Sequence, residues 1–153
     1  MPVEIERKFL VHKEQLPVFV RSIPMLQAYL CIDPQRTIRV RIADNQAFLT
    51  IKGRMKGISR PEFEYPVPLD EAKELLALAV GYPVEKVRNE VYEHGKKWEV
   101  DVFEGLNSGL ILAEIELESP DEEIVFPEWV AEEVSADMRF YNSQLSLNPF
   151  TRW

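Results

Sequence analysis

The sequence predicts a mainly β (α+β) fold, an eight-stranded antiparallel barrel that closes or nearly closes, with a few helices packed outside. Three observations support this prediction. Apolar and polar residues alternate with period two in eight segments, which is the mark of strands. Turns rich in Asp, Asn, Gly and Pro separate those segments. Only one segment has a clear helical period, and eight antiparallel strands joined by hairpins favour a barrel.

The predicted strands span residues 3–12, 26–32, 36–42, 47–52, 61–68, 84–94, 97–103 and 110–118. The clear helix begins at Asp70, which we expect to be its N-cap, and ends before Gly81. Shorter helical pieces are expected within residues 13–22 and near 141–147. The chain has no Gly/Ser-rich linker and no internal repeat, so we expect residues 1–153 to form one domain.

The composition excludes several classes of protein. Hydrophobic residues make up 46% of the 153 residues, enough to build a core. The formal net charge of −8 argues against binding to nucleic acid or anionic membranes, because both require surplus Lys and Arg. No apolar stretch is long enough to span a bilayer. Cys31 is the only cysteine, which excludes a disulfide framework, and we expect a cytoplasmic protein.

Charges of the same sign share strand faces. Successive strand residues point to opposite faces, so Glu4, Glu6 and Lys8 lie on one face. The same rule groups Arg39 with Arg41, Thr50 with Lys52, Glu62 with Glu64, Lys86 with Arg88, Glu99 with Asp101, and Glu114 with Glu116. Periodicity alone favours an ordinary sheet with these charges in water. Like charges on one strand are costly unless an opposite charge binds between them, which leaves a polar barrel interior as the alternative.

A polar interior would suit a polyanion that binds together with a divalent metal. Mg²⁺ and Mn²⁺ prefer oxygen ligands from carboxylates, substrate phosphates and water. Arg and Lys side chains bind phosphoryl oxygens. Together these groups supply the positioning and charge neutralisation that phosphoryl transfer requires. The sequence contains no Walker-type loop, so a P-loop enzyme is excluded.

Seven motifs follow one another along these strands: EIERK at 4–8, RVR at 39–41, LTIKG at 49–53, SRPEFEY at 59–65, KVR at 86–88, WEVDVF at 98–103 and AEIEL at 113–117. In this order and spacing they resemble the CYTH superfamily, also called triphosphate tunnel metalloenzymes. The resemblance extends from Glu4 to Asn142, and residues 133–143 resemble the ending of the small bacterial members.

The resemblance implies a tunnel with the charged faces inside. It assigns phosphate binding to six basic residues, Lys8, Arg39, Arg41, Lys52, Lys86 and Arg88. It assigns Mg²⁺ or Mn²⁺ binding to four carboxylates, Glu4, Glu6, Glu114 and Glu116, with Glu62, Glu64 and Asp101 in support. It also implies that Tyr29 and Lys52 act together in catalysis.

The function implied by the resemblance is metal-dependent hydrolysis of a triphosphate, with inorganic tripolyphosphate cleaved to pyrophosphate and phosphate as the preferred reaction. The alternatives are a class IV-type adenylate cyclase, a thiamine or nucleoside triphosphatase, and a non-catalytic module that binds polyphosphate. The sequence does not fix the oligomeric state, and a homodimer is one possibility.

Overall fold

The computed structural model describes residues 2–153. The strands are β1 (Val3–Val11), β2 (Arg21–Asp33), β3 (Arg36–Ala43), β4 (Gln46–Gly53), β5 (Ser59–Val67), β6 (Val80–Glu93), β7 (Lys96–Phe103), β8 (Ile111–Glu116) and β9 (Val130–Glu133). The α-helices are α1 (Leu69–Leu75) and α2 (Asn142–Leu147), and short 3-10 turns occupy Lys13–Gln15, Leu76–Leu78, Gly105–Asn107, Met138–Phe140 and Phe150–Arg152. Within residues 2–153, no helix combines the length and the apolar character that crossing a bilayer requires.

Eight strands close into an antiparallel barrel, which confirms the predicted fold class. Their order is β1-β5-β4-β3-β2-β6-β7-β8, and β8 pairs with β1 to complete the circle. The start of β1 pairs with β5, where Glu4 lies opposite Arg60. The short strand β9 pairs with the other half of that edge of β1, where Phe9 lies opposite Glu133. The sequence analysis did not predict β9, because four residues are too few to show alternation.

Several local boundaries differ from the prediction. Strands β2 and β6 begin at Arg21 and Val80, earlier than expected, because the two strands pair with each other along most of their length. Helix α1 has Pro68 at its N-cap, so Asp70 lies inside the first turn instead. The helical piece expected within residues 13–22 is only a 3-10 turn at Lys13–Gln15. The helix expected near 141–147 is confirmed as α2.

The apolar strand faces pack outside the barrel. Phe9, Trp98 and Trp129 are buried in one cluster, with the two indole rings 5.4 Å apart. On another side, Ala72 of α1 packs in a cluster with Val40 of β3. Since these outer faces are covered, the charged faces point into the barrel. The orientation that periodicity alone favours, with the charges in water, is therefore wrong.

Candidate active site

The inward faces of the strands line a cavity of about 280 Å³. Every residue predicted for the site except Asp101 contributes to the lining, namely Glu4, Glu6, Lys8, Tyr29, Arg39, Arg41, Lys52, Glu62, Glu64, Lys86, Arg88, Glu114 and Glu116. Period-two alternation explains this convergence, because residues two apart on a strand point to the same side. Closure of the barrel brings the separate strands around one space.

One side of the cavity is acidic. This acidic wall, on β1, β7 and β8, consists of Glu4, Glu6, Glu99, Glu114 and Glu116. Glu6 lies directly opposite Glu116, and Glu114 lies directly opposite Glu99. Burial raises the pKa of Glu6 well above its ordinary value, and the charges of Glu114 and Glu4 raise it further. Carboxylates crowded in this way favour a cation between them.

Glu114 binds two cations from neighbouring strands. Its Oε1 lies 3.5 Å from Lys8 Nζ, and its Oε2 accepts a 3.3 Å hydrogen bond from Arg88 Nη2. Burial acts to raise the pKa of Glu114, but Lys8 and Arg88 lower it well below its ordinary value. Lys8 Nζ also donates a hydrogen bond to the carbonyl of Phe140, at 3.2 Å. Glu114 is therefore held ionised within the cavity.

The second group of charges is basic. This basic wall, on β3, β4 and β6, consists of Arg39, Arg41, Lys52, Lys86 and Arg88. Burial lowers the pKa of Arg41, and the nearby Arg39 and Arg88 lower it further. Burial also lowers the pKa of Lys86, to about 7, against the opposing effect of Asp101. Cations crowded in a buried space favour an anion between them.

Asp101 lies beneath the basic wall and is fully buried. Arg88 donates from Nε and Nη2 to its two carboxylate oxygens, at 2.8 and 2.9 Å, and Lys86 Nζ lies 2.7 Å from Oδ2. Burial acts to raise the pKa of Asp101, but Arg88 and Lys86 lower it below its ordinary value. Asp101 therefore orients two basic side chains, and it does not face the cavity.

Lys52 joins the two walls where the barrel closes. Its Nζ donates to Glu4 Oε1 at 2.9 Å and lies 3.5 Å from Glu62 Oε2. Burial acts to raise the pKa of Glu4, yet Lys52 lowers it below its ordinary value. Burial and the neighbouring Glu4 raise the pKa of Glu62. Glu64 accepts a hydrogen bond from Thr50, at 3.1 Å.

The proposed catalytic partners Tyr29 and Lys52 line the same cavity from different strands. Tyr29 on β2 is 5% exposed and lies opposite Arg39 on β3. Lys52 on β4 lies opposite Thr37 on β3. No hydrogen bond connects Tyr29 with Lys52 within residues 2–153. Joint action of the two residues therefore does not rest on a direct hydrogen bond between them in this structure.

The lining also includes residues that the sequence analysis did not assign to the site: Thr37, Met55, Ile58, Arg60, Glu99, Ser135, Tyr141, Asn142 and Ser143. Arg60 and Glu99 share strand faces with predicted site residues, so alternation could have indicated them. Residues 135–143 are not in a strand. They reach the cavity only because the chain end folds back onto the barrel, which no local pattern indicates.

The acidic wall supplies the carboxylate oxygens that a divalent metal prefers. Within the described part of the chain, no three His, Cys, Asp or Glu side chains already form a ligand set. Glu4 and Glu114 are instead paired with Lys52 and Lys8. The donor chemistry fits a metal that takes one or two carboxylates from the protein and completes its coordination with phosphate oxygens and water.

Comparisons with known proteins agree with this geometry. The model of the CYTH domain family matches residues 2–146. An inorganic triphosphatase of Acetivibrio thermocellus is 42% identical over 153 residues, covering 98% of this chain and 97% of that protein. An inorganic triphosphatase of Nitrosomonas europaea is 35% identical, covering 95% and 97%. The crystal structure of the inorganic triphosphatase NE1496 has a TM-score of 0.70 and 33% identity, with 96% of each chain covered.

Proposed function

Because this chain belongs to the CYTH domain family, we propose that it is an inorganic triphosphatase that hydrolyses tripolyphosphate to pyrophosphate and phosphate. The observation that carries the proposal is one buried cavity in which a basic wall faces a group of carboxylates. Two relatives covered over nearly their whole length are inorganic triphosphatases, which supports the same reaction.

Substrate binding would rest on the basic wall together with Lys8. Guanidinium groups bind phosphoryl oxygens through paired hydrogen bonds, and ammonium groups act as point charges. Burial lowers the pKa values of Arg41 and Lys86, so an anion that enters the cavity would restore the stability of their charged forms. A triphosphate carries several negative charges along a short chain and can meet several of these cations at once.

Metal binding would rest on Glu4, Glu6, Glu114 and Glu116, with Mg²⁺ or Mn²⁺ as the proposed ion. A divalent cation would neutralise phosphate charge and lower the pKa of the attacking water. Glu6 is the member of this set whose pKa is raised well above its ordinary value, so it gains most from a nearby cation. Glu62 and Glu64 would hold Lys52 and Arg39, which lie within 4 Å of them.

In the proposed reaction, the oxygen of a water molecule bonds to a terminal phosphorus while the bond from that phosphorus to the bridging oxygen breaks. The electron pair of the broken bond stays on the pyrophosphate oxygen, and the water loses a proton to solvent. Lys52 would neutralise the charge that grows on the leaving oxygen, and Tyr29 would orient the phosphate by hydrogen bonding. A cytoplasmic location and a homodimeric state stay predictions.

The test is an assay of purified protein with tripolyphosphate, ATP and thiamine triphosphate in parallel. We expect phosphate release that is fastest from tripolyphosphate, requires Mg²⁺ or Mn²⁺ and stops when a chelator is added. Cyclic AMP and pyrophosphate from ATP would instead establish a cyclase. Tight binding of tripolyphosphate without turnover would establish a binding module and overturn the proposed hydrolysis.

A further inference from the structure

A chain of hydrogen bonds links two basic side chains through two neutral amides. Arg41 Nε donates to Gln27 Oε1 at 2.8 Å, and Gln27 Nε2 donates to Asn142 Oδ1 at 3.0 Å. The same Asn142 oxygen accepts a 2.9 Å hydrogen bond from Lys86 Nζ. The cations can only donate, so they fix which end of each amide faces them. Gln27 is fully buried, and it is not among the residues predicted for the site.

The two amides satisfy buried donors without cancelling their charge. Buried cations are usually paired with carboxylates, because an isolated charge is costly to desolvate. Within residues 2–153, Arg41 has no carboxylate within 4 Å, and Lys86 shares Asp101 with Arg88. An amide oxygen offers a partial negative charge and a defined direction, but no full charge. The amides therefore hold Arg41 and Lys86 without adding a negative charge that would compete with an anion in the cavity.

We propose that Gln27 and Asn142 form an amide relay that positions Arg41 and Lys86 for substrate without placing a competing negative charge beside them. The proposal rests on the proposed function, because it assigns these two cations to triphosphate binding. Asn142 is the first residue of α2, and Tyr141 and Ser143 also line the cavity. The relay makes the C-terminal helix part of the substrate site, with Gln27 and Asn142 as positioning residues.

The decisive variant is Asn142→Asp, which keeps the shape of the side chain and adds one negative charge beside Lys86. The new carboxylate still accepts the hydrogen bonds from Gln27 and Lys86, so we expect an unchanged melting temperature. The same charge repels the substrate, so KM for tripolyphosphate should rise about tenfold or more, with a smaller change in kcat. A purely structural role predicts the opposite combination, in which the melting temperature falls and KM stays constant.

The matched control is Asn148→Asp, which adds the same charge at the exposed end of α2. Its KM should stay within about twofold of the wild type, because solvent screens a distant charge. Should Asn142→Asp fail to fold, Asn142→Ala tests the relay by removing the shared acceptor. We expect it to raise KM about threefold to tenfold, the range for losing the one hydrogen bond that reaches a cation, from Lys86.

Binding and turnover are measured separately, by calorimetry with tripolyphosphate and by phosphate release. A wild type that binds tripolyphosphate without cleaving it overturns the proposed hydrolysis and still allows the relay to be tested by affinity. An active wild type whose Asn142→Asp variant matches Asn148→Asp in KM and affinity overturns the relay alone.

Discussion

The acidic and basic walls of the cavity are built on different principles. On the acidic wall, like charges lie directly opposite each other on neighbouring strands, as Glu6 does with Glu116 and Glu114 with Glu99. Like charges in such cross-strand pairs destabilise a sheet. On the basic wall, no cation lies directly opposite another cation, and Lys52 and Arg88 lie opposite the carboxylates of Glu62 and Asp101. Arg39 lies between Tyr29 on β2 and Thr50 on β4.

This difference fits two different ligands. Opposed carboxylates concentrate negative charge at one place, as a compact divalent cation requires. Cations that are separated from one another by neutral or acidic neighbours are distributed over a longer surface, as a chain of phosphates requires. Two residues pair the opposite charges. Asp101 contacts Lys86 beneath the basic wall, and Lys52 contacts Glu4 where the barrel closes.

Asp101→Asn should have the largest effect on stability, because it leaves Lys86 without its buried carboxylate and removes the shortest ion pair of Arg88. Breaking a buried ion pair costs about 3–5 kcal/mol of unfolding free energy. The folded pKa of Asp101 is lowered despite burial, by Arg88 and Lys86. Its stabilising contribution is therefore full above the unfolded pKa of the carboxyl and is lost as the pH falls through the folded pKa. Urea unfolding at neutral and acidic pH measures this difference.

The chain offers a matched control in Asp137, whose carboxylate binds Arg139 with hydrogen bonds as short as 2.8 Å on the surface. Solvent screens this exposed pair, so Asp137→Asn should not measurably change the unfolding free energy. Equal losses for the two variants would show that burial does not increase the contribution of the Asp101 ion pairs to stability.

Lys52→Ala should lower kcat about 100-fold to 1,000-fold, the usual cost of removing one group that stabilises charge in a transition state. The ammonium group of Lys52 contacts Glu4 and Glu62 where the acidic and basic walls meet. Lys56→Ala in the adjoining hairpin is the control, because Lys56 is exposed and does not line the cavity. Steady-state phosphate release measures both variants, and near-normal turnover in Lys52→Ala would remove Lys52 from the proposed chemistry.

The sequence could predict which residues share a face, because alternation has a strict period of two. It could not decide which face turns inward, since a charged face suits either water or a polar interior. The resemblance to a known family supplied that choice, and the packed cluster around Trp98 and Trp129 gives its physical reason. Alternation also placed Glu99 and Asp101 on one face without showing that only Glu99 reaches the cavity.

The amide relay could not be predicted by any local pattern. Gln27 and Asn142 are 115 residues apart in sequence and meet only when the C-terminal helix packs against β2 and β6. Neither residue type has a charge or a spacing that indicates a site. The strand β9 was missed for a related reason, because its pairing with the end of β1 is decided by tertiary contact.

Glu6→Gln should separate stability from activity on the acidic wall. Burial, Glu114 and Glu4 raise the folded pKa of Glu6 well above its ordinary value. Its protonated form therefore favours folding at low pH, and this stabilisation is lost as the pH rises through the folded pKa. A neutral amide avoids the loss, so without metal at pH 8 the variant should melt about 2–4 °C higher than wild type, which corresponds to roughly 1 kcal/mol in a chain of this size.

The same variant should release phosphate much more slowly and need more Mg²⁺ or Mn²⁺ for half-maximal activity, because an amide is a weaker metal ligand than a carboxylate. Thermal melts at pH 5 and pH 8, with and without metal, would show whether the gain in stability is confined to high pH and to metal-free protein. A melting temperature equal to that of wild type at both pH values would mean that opposed carboxylates do not strain this wall, and the contrast with the basic wall would lose its energetic basis.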